Sequence, residues 1–131
     1  MNSSFFKYLI VTFFVLFISC QKDKETISDL IVGKWEWVKS ASPWTGQVSN
    51  PQTAGFSITL EFTSNGIMKE YRNDTLSNTS NYSIEINPTE PTTNILIQNS
   101  GIHSHFYIVN DSLIINAAYV DGAVSTYTRL K

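Results

Sequence analysis

The side chains best suited to chemistry are few in this sequence, and the two histidines are the first to consider. His103 and His105 lie two residues apart on a predicted strand. They therefore share one face, where two imidazoles could bind a metal ion or hold a polar ligand. No Cys, Asp or Glu lies near enough along the chain to complete a ligand set. We expect exposed histidines opposite the buried Phe106 and Ile108, and no metal site.

The arrangements typical of common enzyme sites are also missing. Glu61, Glu70 and Glu85 occupy strand positions opposite the apolar ones, which predicts solvent exposure rather than acid–base chemistry. No Ser or Thr lies in a strained nucleophile turn with a histidine partner, and the sequence contains no glycine-rich phosphate loop. We therefore expect no catalytic activity and no cofactor.

Cys20 is the only cysteine, and it directly follows the charge-free apolar stretch of residues 8–18. This stretch follows Lys7, has the length of a signal-peptide h-region and is too short to span a bilayer. The segment Phe17-Ile18-Ser19-Cys20 resembles the lipobox of bacterial lipoproteins. That resemblance implies cleavage before Cys20 and its modification by acyl chains such as palmitate. The alternative is a free or buried thiol after an ordinary secretory signal.

The chain length and charge fit one small domain behind this signal. Of the 131 residues, 1–19 are expected to be a signal peptide, 20–29 the lipidated cysteine and a flexible tether, and 30–131 the folded domain. The net charge is −2, and the nine Lys and Arg residues are scattered along the chain. Because phosphate contacts require clustered cations, this distribution disfavours nucleic acid binding.

From Leu30 onward the sequence predicts strands joined by turns. Apolar residues alternate with polar ones over 56–63, and Asn65-Gly66, a strong hairpin signal, follows directly. Pro88 and Pro91 end one of the later strands. The eight predicted strands are 35–39, 56–63, 67–72, 82–86, 94–98, 103–109, 113–118 and 123–129.

Eight short strands joined by short turns favour an all-β, antiparallel, up-and-down arrangement. Such strands can close into an eight-stranded β-barrel, which removes exposed sheet edges. An open β-sandwich has the same sequence pattern and is the alternative. The irregular stretch from Ser40 to Gly55 is either a lid over one end of the barrel or a surface insertion.

A family resemblance is carried by the first and last strands. Residues 27–30 can form a turn of helix before Gly33-Lys34-Trp35, and Arg129 lies on the last strand. This pattern resembles the Gly-x-Trp opening of the lipocalin-like superfamily. The resemblance implies that Trp35 closes the barrel floor and that Arg129 lies across its indole. The compact domain is most similar to the lipocalin-like lipoproteins of Bacteroidetes-type bacteria.

The tether and two turns extend this resemblance. The charged stretch 21–25 after Cys20 resembles the signal that sends lipoproteins of those bacteria to the outer surface of the outer membrane. We expect a lipid-anchored protein at the cell surface, with the periplasmic face of the outer membrane as the alternative. Asp74-Thr75-Leu76 and Asp111-Ser112-Leu113 resemble O-glycosylation acceptors, which would place sugars on Thr75 and Ser112. Each also lies in an Asn-Asp turn, where Asx side chains occur without any modification.

Aromatic residues give the remaining indication of function. They either line a cavity for a small hydrophobic or amphipathic ligand or fill a solid core by packing. We carry two hypotheses, a non-catalytic, membrane-anchored lipocalin-like binding module and a surface interaction protein whose loops bind a protein or glycan partner. The candidate pocket residues are Trp37, Trp44, Phe56, Phe62, Tyr71, Tyr82 and Phe106.

Overall fold

The computed structural model describes residues 25–87, 89–90, 93–99 and 101–131. The predicted signal peptide, Cys20, residues 21–24 of the tether, and both Pro88 and Pro91 lie outside the described residues. The elements are helices α1 (Ile27–Ile31) and α2 (Pro51–Ala54), a 3₁₀ turn (Ala118–Val120), and strands β1 (Gly33–Ala41), β2 (Val48–Ser49), β3 (Ile58–Phe62), β4 (Ile67–Arg72), β5 (Thr75–Ile86), β6 (Asn94–Gln98), β7 (His103–Val109), β8 (Ser112–Asn116) and β9 (Val124–Arg129).

The sheet closes on itself as an eight-stranded antiparallel barrel. Neighbours follow chain order from β3 to β9, β1 pairs with β3 on one side, and β1 pairs with β9 on the other. The short β2 pairs only with the end of β1, where Ala41 faces Val48. The predicted up-and-down barrel is therefore confirmed, and the pairing of β1 with β9 rules out an open sandwich.

Strand β5 is the main departure from the predicted strands. It has 12 residues, because 75–81 pair with β4 and only 82–86 pair with β6. The sequence pattern predicts a turn at Asn73-Asp74 and the next strand only from Tyr82 onward. Residues 75–79 are exposed and uncharged, so no buried face marks them as a strand. Their backbone pairing with β4, interrupted by a bulge at Ser77, forms the hairpin instead.

The predicted tight turns have the backbone geometry that their residue types allow. Asn73 and Asp74 have φ of 48° and 63°, which are left-handed values common for Asn and Asp. Asn110 is also left-handed, at 54°, in the turn between β7 and β8. Gly66, at 79°, completes the turn between β3 and β4. These turns fix the register of neighbouring strands.

Large apolar side chains fill one end of the barrel, which we call the floor. It lies beneath α1 and beside the turn between β3 and β4. Side chains of paired residues in antiparallel strands share a face, so the inward residues can be read from the register. The fully buried core comprises Ile31, Trp35, Leu60, Phe62, Met68, Leu96, Phe106 and Leu113.

The opposite end of the barrel, which we call the mouth, carries the long connection between β1 and β3. This connection is not irregular throughout, since it contains β2 and α2. Helix α2 is capped by Asn50, whose side chain accepts from the Thr53 N–H, and it ends at Gly55 with φ of 75°. Within the part of the chain that the structure describes, no helix has the length and apolar character needed to cross a membrane.

Candidate ligand-binding site

The first group of predicted site residues meets at the floor. The Arg129 guanidinium lies 4.1 Å from the centre of the Trp35 ring, and Trp35 is fully buried. Gly33 is adjacent, with φ of 133°, and a Cβ there would lie 2.9 Å from Arg129 Nη1. A residue other than glycine would therefore meet both backbone strain and the guanidinium. The structure brings all three residues together.

The same residues hold helix α1 against the barrel. Arg129 donates to the carbonyl oxygens of Val32, at 3.0 Å, and of Leu30. The Trp35 indole N–H donates to the carbonyl oxygen of Ile31 at 2.7 Å. These carbonyls belong to the C-terminal end of α1, where backbone acceptors have no partner within the helix. The floor is therefore a plug built from α1, Trp35 and Arg129.

Three of the predicted pocket residues pack into this floor. Phe62 and Phe106 are almost completely buried, and Tyr82 meets Phe62 edge to face with ring centres 5.1 Å apart. The Tyr82 hydroxyl donates to the Thr63 carbonyl at 2.8 Å. These rings fill the lower interior, so they form packed core rather than a wall around a ligand.

Tyr71, another predicted pocket residue, lies on the outer surface of the barrel. It pairs with Thr59, one residue out of phase with the buried Leu60, and its hydroxyl donates to the Glu61 carboxylate at 2.8 Å. That hydrogen bond raises the pKa of the Tyr71 hydroxyl. Tyr71 therefore does not line the interior. It borders an open outer groove of about 240 Å³, lined by Lys34, Thr59, Tyr71, Asp74 and Leu130.

A stack of three side chains borders the mouth. Trp37 is buried, at 5% exposure, and the half-buried Phe56 stacks on it with ring centres 5.8 Å apart. The guanidinium of the exposed Arg72 lies 3.7 Å from the centre of the Phe56 ring. Trp44 takes no part in this stack, because it is 73% exposed in the turn before β2. The structure thus separates Trp44 from the other predicted pocket residues.

Beneath the stack the interior is lined by small polar side chains. Ser40 pairs with Ser125 across β1 and β9, and their hydroxyls lie 2.7 Å apart. On the other wall, Ser80 pairs with the buried Met68, and Ser104 pairs with the buried Leu96. The Ser80 hydroxyl is buried without a hydrogen-bond partner, which is uncommon for a polar group in a protein interior. Four serines thus occupy inward positions of the barrel, with Ser40 and Ser125 toward the mouth and Ser80 and Ser104 beside the core residues Met68 and Leu96.

A chain of hydrogen bonds runs along one side of this polar layer. The Trp37 indole N–H donates to Ser40 Oγ at 2.9 Å, Ser40 contacts Ser125, and the Tyr127 hydroxyl lies near Ser125 on the same face of β9. Because an indole nitrogen only donates, Ser40 can pass its own proton on to Ser125. Burial raises the pKa of Tyr127 to about 12, so its hydroxyl stays protonated at neutral pH. The chain ends on a phenolic hydroxyl that can donate.

Glu70 faces the same layer, contrary to the sequence prediction that it points to solvent. It pairs with the buried Leu60, and its charge contributes to the raised pKa of Tyr127. The bulge of β5 brings Ser77 to it, and the Ser77 hydroxyl donates to the Glu70 carboxylate at 3.2 Å. The prediction was wrong because β4 has apolar residues on both faces. Ile67 and Tyr71 lie outside while Met68 lies inside, so alternation alone does not identify the inner face.

The histidines lie on the outer face of β7, opposite Ser104 and Phe106. His103 is exposed and His105 is half-buried. They pair with Ile97 and Ile95 of β6. Among the described residues, no group of three or more His, Cys, Asp or Glu is arranged to hold a metal ion.

The two predicted glycosylation sites lie at opposite ends of the barrel. Thr75 is exposed and begins β5 directly after the turn at Asn73 and Asp74. Ser112 is half-buried and begins β8, where it pairs with Val109 and Thr128. Thr75 is therefore the more accessible of the two hydroxyls.

Comparison with known proteins identifies no relative of this chain. No family model matches the chain, and neither the curated proteins nor the solved structures include a significant match. The barrel architecture therefore stands on the strand pairing, and the lipocalin-like assignment remains a resemblance.

The polar layer is the part of the site that the sequence analysis missed. Its signal was present in β9, since Ser125, Tyr127 and Arg129 are spaced by two residues and must share a face. Once Arg129 is assigned to the interior of the barrel, Ser125 and Tyr127 must also point inward. Ser40 does not follow, because the bulge at Val38 shifts its phase relative to Trp37. Only the pairing of β1 with β9 places it inside.

Proposed function

We propose that the protein is a membrane-anchored, lipocalin-like binding module that takes up a small amphipathic or hydrophobic ligand without catalysing a reaction. The ligand would enter at the mouth and lie between the stack of Trp37 and Phe56 and the polar layer. Its apolar part would contact the rings, and its polar part would hydrogen-bond Tyr127 and the serines.

The observation that carries this proposal is the presence of four serines at inward positions of the barrel, namely Ser40, Ser80, Ser104 and Ser125. The interior of an eight-stranded barrel is just wide enough to be filled by side chains or to hold one small ligand. At the floor, rings and branched side chains fill it. A serine side chain is much smaller than these, which supports room for a small ligand, and a few convergent polar groups in an apolar setting are typical of ligand sites.

The proposal includes the anchor predicted at Cys20, in the outer membrane and at the cell surface. The position of α1 supports this arrangement. The helix caps the floor and directly follows the tether, so an anchored barrel would have its floor nearest the membrane. Its mouth would then open toward the surrounding water, where a ligand can enter.

Native mass spectrometry of the protein purified from membranes of its own host tests the proposal, with organic extraction to identify any co-purifying molecule. We expect a complex heavier than the acylated chain by one small ligand. We also expect the Ser125→Leu variant to lose that added mass, because the larger side chain would fill the polar layer. A wild-type protein that carries no ligand and binds none from a host lipid extract would contradict the proposal.

A second candidate function is favoured by the exposure of Trp44. Its ring lies in a turn at the mouth, beside the half-exposed Val48. Exposed aromatic residues on loops are typical contact points for proteins or sugars. If the loops bind such a partner, Trp44→Ala should abolish capture of cell-surface glycans on an array while leaving the co-purifying ligand in place. Loss of the ligand together with unchanged glycan binding would argue against this role.

A further inference from the structure

The charges around the polar layer indicate which ligand class fits it. We infer that the site selects a ligand carrying a positively charged amino group, which pairs with the Glu70 carboxylate below the aromatic stack. This inference rests on the proposed function, and it assigns a ligand-binding role to Glu70, which the sequence pattern places on the solvent face.

Glu70 is the only charged side chain that the register places on the inner face between the floor and the mouth, within the described residues. At the floor, Arg129 is occupied by the carbonyls of Leu30 and Val32 and by the Trp35 ring. At the mouth, Arg72 is exposed and lies over Phe56. An inward carboxylate between these two levels favours a cation and disfavours an anion.

The hydrogen-bond chain supports the same choice. Trp37 donates to Ser40, Ser40 contacts Ser125, and the buried Tyr127 hydroxyl on the same face of β9 stays protonated and can donate. Glu70 contributes to the electrostatic surroundings of this hydroxyl. One wall thus presents a donor and the other an acceptor. A protonated amine would supply further donors to the Glu70 carboxylate, which accepts a hydrogen bond from the Ser77 hydroxyl.

The aromatic rings complete a cation site. Trp37 and Phe56 stack nearly parallel at the mouth, with 19° between their planes. The outer face of Phe56 already holds a cation, the Arg72 guanidinium. A ligand cation between a ring and a carboxylate gains both cation–π attraction and an ion pair. An anionic ligand such as a fatty acid would instead place its carboxylate at the exposed Arg72. Its apolar chain would then lie against polar serines and the Glu70 carboxylate, which is unfavourable.

Three probes with the same alkyl chain test the inference: n-hexylamine, 1-hexanol and hexanoate, each titrated calorimetrically into the folded protein at pH 7. We expect the amine to bind at least ten times more tightly than the alcohol and the carboxylate to bind weakest. In Glu70→Gln the advantage of the amine over the alcohol should fall to within about twofold. Glu85→Gln is the matched control, because Glu85 is exposed on β5, and it should bind all three probes like the wild type.

The outcomes separate the two proposals. If 1-hexanol or hexanoate binds the wild type as tightly as the amine, or if Glu70→Gln keeps the preference, the inference about the amino group is overturned and the binding function stands. If none of the three probes binds, the inference about the amino group is overturned, while the binding function is decided by the test with the host lipid extract. A thermal melt by circular dichroism establishes that Glu70→Gln is folded. Should it melt early, Glu70→Asp replaces it, and an unchanged amine preference after the carboxylate is withdrawn by one methylene would equally overturn the inference.

Discussion

Arg129 joins three parts of the molecule through one planar group. Its guanidinium stacks on Trp35 of β1, and its two terminal nitrogens donate to carbonyls at the end of α1. A lysine ammonium could pair with one carbonyl but would lack the flat face for the ring. The missing side chain of Gly33 leaves room for the guanidinium, since a Cβ there would lie 2.9 Å from Nη1. The geometry therefore requires arginine at this position.

We accordingly expect Arg129→Lys to lower the free energy of unfolding by about 2–3 kcal/mol, since a charged hydrogen bond and the cation–π contact are both lost. Urea denaturation followed by tryptophan fluorescence measures this change. The matched control is Arg72→Lys, at the only other arginine, where an exposed side chain should change stability by less than about 0.5 kcal/mol. An equal loss in the free energy of unfolding at the two positions would show that the contact of Arg129 with Trp35 and α1 contributes no more to stability than an exposed arginine.

Tyr127 makes stability depend on alkaline pH. Burial raises its pKa to about 12 in the folded protein, against its ordinary value of 10.0. A group with a raised folded pKa keeps its full contribution below pH 10, where both states are protonated. As the pH rises from 10 toward 12, the unfolded chain loses the proton first, so the folded state loses stability.

The difference between the wild type and Tyr127→Phe isolates this effect. We expect the wild type to lose about 1 kcal/mol more than the variant between pH 9 and pH 11, measured by urea denaturation at each pH. The pKa values of Tyr71 and Tyr82 are also raised, but both residues are present in the two proteins, so their contributions cancel. Parallel stability curves for the two proteins would contradict the burial of this hydroxyl.

Helix α1 acts as a plug for the floor. Its five residues are too few for stable isolated helix formation, so tertiary contacts must hold it in place. The capping box of Thr26 and Asp29 defines its start. The Thr26 hydrogen bonds lower the pKa of Asp29. At its end, Ile31 is fully buried in the core cluster.

Truncating this anchor should loosen the floor. We expect Ile31→Ala to cost about 2–4 kcal/mol in the free energy of unfolding, through lost burial and the cavity left behind. The neighbouring Leu30→Ala is the control, because Leu30 is only half-buried and should cost less than half as much. Both values come from chemical denaturation under identical conditions. If Leu30→Ala proves the costlier of the two, α1 does not insert Ile31 as described.

Most elements followed from the sequence because each has one buried face. Strand β3 shows clean alternation around Leu60 and Phe62, and the Asn65-Gly66 turn fixes its partner. The first half of β5 lacked such a signal, since its pairing with β4 depends on the backbone and leaves the side chains exposed. The polar layer was hidden for a related reason. An inward serine has the same sequence signature as an outward one, so only strand pairing across β1 and β9 distinguishes them.

The two ends of the barrel differ in chemistry. The floor is packed with rings and joined to α1, whereas the mouth has polar residues beneath an aromatic stack. If Cys20 carries acyl chains, the six residues to Thr26 allow the floor to stand at most ~20 Å from the membrane surface. The tether would then set both the distance and the orientation of the barrel, with the mouth facing away from the lipid.

This arrangement depends on acylation of Cys20, which metabolic labelling with palmitate in the native host can detect. We expect the wild type to incorporate label and to enter the detergent phase of a Triton X-114 partition, and Cys20→Ala to incorporate none, because it lacks the only thiol of the chain. Ser19→Ala is the matched control, since it keeps a small residue before the cysteine and should be labelled like the wild type. An unlabelled wild type, or a mature N-terminal peptide containing an unmodified Cys20, would contradict the anchor. The mouth would then have no fixed direction relative to the membrane, although the barrel and its polar layer would be unaffected.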